Sequence, residues 1–145
     1  MTDDALLNRF REAAFEQLDN VDGDFTRLAE PHKTISIVES AQGIIDNGGL
    51  RYFFTNDWPH KPPYSVFADA YEKIGRIEAA NALRQAAGSF DIEQPEHHIE
   101  IRRDFLEKNY NRDKLEVDGW NDCICGDEMV WTDLATWLRV HLRAN

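Results

Sequence analysis

Apolar residues recur along this chain at intervals of three and four, the spacing that gathers them on one face of an α-helix. Leu6, Leu7, Phe10, Ala13, Ala14, Gln17 and Leu18 form the first such stripe, behind a Thr2 or Asp3 suited to capping its start. A short helical piece over residues 24–29 precedes Pro31, and Ile35, Val38, Ala41, Ile44 and Ile45 mark a more buried helix. Tyr64, Phe67, Ala68, Tyr71 and Ile74 predict the next; Gly75 interrupts it, and Ile77, Ala80, Leu83, Ala86 and Ala87 carry the pattern to a Gly88 cap. Pro95 suits a first helical turn, and Ile99, Arg102, Phe105, Leu106 and Tyr110 carry a helix that ends near residues 109–111. Val130, Trp131, Leu134, Trp137, Leu138, His141 and Leu142 give the last stripe, where Arg139 and Arg143 suit the negative end of the helix dipole. Alternating strand patterns, internal repeats and low-complexity linkers are missing from the sequence. The pattern therefore predicts an all-α single domain over residues 1–145, a bundle of about six to eight helices.

One stretch departs from simple periodicity. Residues 47–56 read N-G-G-L-R-Y-F-F-T-N. Asn47 and Gly48 can take positive φ cheaply, which predicts a left-handed cap on the preceding helix, and Gly49 permits close backbone approach. Tyr52, Phe53 and Phe54 then turn inward as an aromatic hub, with Asn56 closing the corner. Trp58, Pro59, Pro62 and Pro63 cannot sit inside a regular helix, so residues 57–63 form a loop over that hub, with His60 and Lys61 solvated. A cleft beside Tyr52, Asn56 and Trp58 is the one place where aromatic and amide groups are dense enough for a small-molecule enzyme site.

Charge changes the picture more than length does. The chain carries 16 basic and 27 acidic side chains, a formal net charge of −11, which repels nucleic acid and anionic membranes alike. The excess is concentrated: Asp113, Glu116, Asp118, Asp122, Asp127, Glu128 and Asp133 face Lys114 alone within residues 113–133. That segment is the candidate partner-binding surface, with Asp19, Asp22 and Asp24 as an extension, and a basic protein is the partner it would attract. No apolar run approaches the roughly 18 residues of a membrane span. Asp3 and Asp4 stand where a signal peptide would be basic, so a cytoplasmic protein is expected.

Catalytic constellations are fragmentary. The chain has neither a phosphate-cradling glycine loop nor a nucleophile elbow, and a non-enzyme without cofactor is expected. His97 and His98 are adjacent and diverge on a helix, so no metal site is assigned. Cys123 and Cys125 are too close in sequence to staple distant elements, and neighbouring acids would raise their pKa, which makes them free thiols. His141 belongs to the last apolar stripe. The carboxylates of residues 93–100, interleaved with Arg102 and Arg103, read as a solvated helix face. Trp120, Trp131 and Trp137 read as core beside the acidic stretch.

Glu39 and Gln42, then Asn47-Gly48-Gly49-Leu50-Arg51-Tyr52-Phe53-Phe54-Thr55-Asn56, with Ile74-Gly75 further on, resemble the bacterial DNA-mimic-protein-like family, long described as a domain of unknown function. The family pattern is an upstream Glu and Gln, an N-G-G-phenylalanine, a tyrosine-phenylalanine pair and an asparagine. Leu50 replaces the phenylalanine here, and the resemblance covers roughly residues 35–88. It implies a helical fold and an acidic mimic of DNA that occupies the DNA-binding face of a regulatory protein, as one dimeric member does. A symmetric homodimer would extend the acidic face across two subunits. The motif carries no acidic position over to this chain, so the surface rests on charge. A different class, an immunity protein that plugs the basic active site of a toxin, shares the same composition.

Overall fold

The first helix starts where its cap is: the Thr2 hydroxyl accepts a hydrogen bond from the Ala5 amide at 3.1 Å. A computed structural model describes residues 1–109 and 113–144, and every regular element among them is helical. The α-helices are α1 (Asp3–Asn20), α2 (His32–Thr55), α3 (Tyr64–Lys73), α4 (Ile77–Gly88), α5 (Ile99–Lys108), α6 (Lys114–Val117) and α7 (Met129–Ala144), with 3-10 turns at Phe25–Arg27, Pro95–His97 and Asn121–Cys123. The helical pieces expected at residues 24–29 and at Pro95 are thus single tight turns. Tyr110, placed on the α5 stripe by its spacing, lies outside the described residues.

The central element is α2, which packs on α1, α3 and α5. It does not end at Asn47-Gly48. Both residues are right-handed, and the helix bends one position later, at Gly49 (φ 72°, ψ −176°), a conformation open only to glycine. Gly48 is required for another reason: a Cβ there would sit 2.6 Å from the Cβ of Tyr52. The bend lets the chain resume helical winding at once, which the Asn-Gly-Gly composition alone read as a stop.

Beyond the bend, Leu50, Phe53 and Phe54 are fully buried. The Phe53 ring meets those of Phe54, Trp58, Tyr64 and Phe67, with centroids 5.0–5.7 Å apart. Such pairs add about 0.5–1.5 kcal/mol each beyond burial. Tyr52 corrects the inward expectation: helical geometry turns it away from its neighbours, and it is 47% exposed. The hub's third ring comes instead from Trp58, folded in by the proline-rich loop.

α3 and α4 form a hairpin at Gly75, whose φ of 88° supplies the left-handed residue, and the Arg76 amide returns to the Tyr71 carbonyl at 2.9 Å. Gly88 does not play that part for α4. The chain continues right-handed through Ser89, and the left-handed position falls at Asp91 (φ 54°). α7 closes the fold against α1, with Val130, Leu134, Ala135 and Leu138 buried and Arg139 paired to Asp3.

Glu93, Glu100 and Arg103 are exposed, in keeping with a solvated face, but Arg102 does not belong to it. Arg102 is 1% exposed, and its Nε donates to the Phe54 carbonyl at 2.8 Å, Nη1 to Pro95 at 2.6 Å and Nη2 to Asn56 at 3.3 Å. Asp57 lies 3.7 Å away as counter-charge. The guanidinium therefore takes up carbonyls at the end of α2, where a cation is also favoured by the helix dipole.

Candidate functional site

The acidic segment is held from beneath by apolar anchors and from the side by α2. Leu115, Ile124 and Val130 are buried, while the residues between them face outward or pair locally. Gln42, fully buried on α2, donates to the Ile124 carbonyl at 2.8 Å and to Asp46 at 2.7 Å, and accepts from the Tyr71 hydroxyl at 2.8 Å. Asp46 in turn accepts from the Gly126 amide at 2.8 Å. The Asn121 side chain accepts from the Leu50 amide at 2.9 Å, capping the short helical rod that follows Gly49. A Cβ on Gly49 would stand 2.9 Å from that same Asn121 oxygen. Trp120 completes the attachment by donating its indole N–H to Gln85 on α4 at 2.8 Å.

Residues 42–50 therefore serve as the bed on which residues 120–126 lie. Gln42 and Gly49 were singled out by the resemblance, but the loop they support was found by charge. Only the structure joins them.

The seven candidate carboxylates divide by environment. Glu116, Asp122 and Glu128 are exposed, and no cation among the described residues pairs with them. Asp118 is exposed and lies 3.6 Å from Lys114. Asp113 caps α6, accepting from the Leu115 amide at 3.1 Å. Asp127 and Asp133 converge on Arg76, which pairs directly with Asp127 and reaches Asp133 at 3.2 Å. Arg76, from the α3–α4 turn, was invisible as a partner because 51 residues separate it from Asp127. It removes part of the charge counted along the sequence and fixes the segment to α4. Of the extension, Asp24 turns onto Thr26, Asp22 lies 3.7 Å from His60, and Asp19 is exposed. A further outward row, Glu12, Glu16 and Asp19, follows α1 at spacings of four and three, all exposed.

Around Cys125, burial foremost and then the Asp46 and Asp122 carboxylates push the thiol above its usual range, which disfavours the nucleophilic thiolate. Its sulfur donates to the Ile45 carbonyl at 3.4 Å, that of Cys123 to Gly119 at 3.3 Å, and both are free cysteines. No cluster of metal-ligating side chains occurs among the described residues. No helix among them is long and apolar enough to cross a membrane.

The aromatic corner is packed. Trp58 is only 9% exposed between Phe25, Phe53 and Phe67, while Tyr52 faces away from it. Concavities of about 270, 140, 310 and 370 Å³ are lined by other residues.

A protein-family profile described as DMP19-like protein matches residues 26–141, from the turn before α2 to the last turns of α7. The match reaches well beyond residues 35–88 and includes the whole acidic segment. No curated protein matches the chain, and no solved structure matches it.

Proposed function

The chain belongs to the DMP19-like protein family, and from that premise we propose that it is a non-catalytic acidic module that covers the basic face of a DNA-binding protein by standing in for DNA. The observation that carries the reading is the fixing of the acidic segment: Gln42, Asp46, Asn121 and Arg76 hold residues 120–133 in one arrangement before any partner arrives. A mimic of DNA needs carboxylates at set positions, since phosphates on a duplex are themselves set, and preorganisation spares the ordering cost on binding. Glu116, Asp122 and Glu128 carry the outward charge, Asp118 adds to it, and Asp113, Asp127 and Asp133 shape the segment.

Long-range attraction to a basic face gives fast association that weakens with salt. The test is a Glu116→Lys, Asp122→Lys, Glu128→Lys variant. None of these carboxylates is paired among the described residues, so the variant keeps the wild-type circular dichroism and melting temperature while partner affinity falls and its salt dependence flattens. Asp127→Lys would instead set a cation against Arg76 and report on stability. Unchanged affinity and salt dependence in the folded triple variant would overturn the assignment of this surface. A captured partner that is a toxin rather than a DNA-binding protein would replace mimicry with immunity on the same charges.

A further inference from the structure

A second site lies apart from the acidic segment, where the start of α3, the end of α4 and the 3-10 turn at Pro95–His97 border an open groove of about 270 Å³. Pro63, Tyr64, Ile92 and Pro95 give it apolar walls, and Ser65 and Glu96 add polar groups. Glu96 is the anomaly. It is 9% exposed, yet among the described residues no hydrogen-bond donor or cation is paired with its carboxylate. Its oxygens are not among the fully buried polar atoms without a partner, so the tip of the carboxylate still meets solvent at the groove while the rest of the side chain is covered. A carboxylate so poorly hydrated gains from a cation placed there. The adjacent guanidinium of Arg102 is committed elsewhere, to the carbonyls of Phe54, Pro95 and Asn56 and to Asp57. Tyr64 stays a neutral hydroxyl, since burial holds it well above its ordinary value against the opposing pull of Arg102.

We propose that this groove binds an organic cation on a short aliphatic stem, an alkylguanidinium or alkylammonium group, with its head on the Glu96 carboxylate and its stem between Pro63, Ile92 and Pro95. The volume is below the roughly 300–1,000 Å³ of drug-sized pockets, which suits a group of this size. The net charge of −11 raises the local concentration of any such cation. The same chemistry is carried by a free amine or guanidine metabolite and by a lysine or arginine side chain of a peptide.

The test is a titration of the full chain with n-butylguanidinium, followed by amide chemical shifts, beside the neutral n-butylurea and a capped Ala-Arg-Ala peptide. Saturable shifts at Ser65, Ala87, Gly88 and Ile92 are expected with the cation and not with the urea. Glu96→Gln should weaken binding at least about tenfold, as expected for loss of a charge-assisted hydrogen bond. Glu93→Gln, exposed on the same loop, should leave it unchanged. Glu96 has no hydrogen-bond or ion-pair partner among the described residues to abandon, so unchanged circular dichroism and melting of Glu96→Gln would show that the loss is one of binding. Tighter binding of the peptide than of n-butylguanidinium would assign the cation to a protein side chain, and the reverse order to a free metabolite. Shifts scattered over the acidic surface without saturation, or binding equal in Glu96→Gln, would overturn the proposal.

Discussion

At position 53 a fully buried ring touches four other aromatics, whereas its neighbour at 52 is 47% exposed. Truncation should separate them. Phe53→Ala removes a large side chain from a site with no room to collapse, for a loss of about 3–5 kcal/mol, whereas Tyr52→Ala should cost under about 1 kcal/mol. Urea unfolding of both variants measures the difference, and equal losses would mean that Tyr52 is packed after all. The inward expectation for Tyr52 came from treating three consecutive aromatics as one block. Consecutive positions on a helix diverge by about 100°, so not all three can face one core. Gly48 and Gly49 were legible as a special backbone site, but which one bends could not be read locally, because the choice depends on the Tyr52 side chain on one side and Asn121 on the other.

Among the elements, the short rod after Gly49 is stabilised at both ends by residues distant in sequence. Asn121 caps its first amide and Arg102 takes up carbonyls at its end. A rod this short is unstable alone, since helix nucleation is costly. Asn121→Ala should cost about 0.5–2 kcal/mol, as cap removals do, and should speed hydrogen exchange at Leu50 and at the Ile124 and Gly126 amides more than in α1. Uniform acceleration across the chain would contradict a local latch. Arg102→Met leaves buried carbonyls without a donor at about 1–3 kcal/mol each, so its melting temperature should fall by at least about 5 °C. Arg102→Lys should recover only part of that, because an ammonium lacks the guanidinium fork. The helices themselves were legible from period and caps: Thr2, Gly75 and the α7 stripe as far as Leu138 act where the sequence places them, whereas Leu142, at the end of that stripe, is 42% exposed. Arg102 was not, since a charged residue on an apolar stripe looks the same whether it snorkels or bridges carbonyls, and its acceptors lie on other elements.

For the whole molecule, net charge was legible at once, but its distribution had to wait for the fold. Arg76 withdraws Asp127 and Asp133 from the outward field, and Lys73 engages Glu30 at 2.6 Å. Burial alone would raise the Glu30 carboxyl, but hydrogen bonds from Lys73 and Thr34 hold it below its ordinary value of 4.5. Because folding lowers this pKa, its stabilisation is complete above about pH 4.5 and is lost as pH falls through the folded value. Glu30→Gln should therefore melt lower than wild type at neutral pH, with the gap closing under acid; a gap that stays constant to the most acidic pH would contradict the linkage.

The central claim is that the fixed acidic segment takes the place of DNA, and competition tests it most directly. The protein is immobilised, exposed to lysate of the source cell at low salt, and eluted in parallel with duplex DNA and with high salt, with eluted proteins identified by mass spectrometry. A basic DNA-binding protein released by both, and not retained by the folded Glu116→Lys, Asp122→Lys, Glu128→Lys variant, is the predicted result. A partner that DNA does not displace and that the triple variant still holds would contradict it.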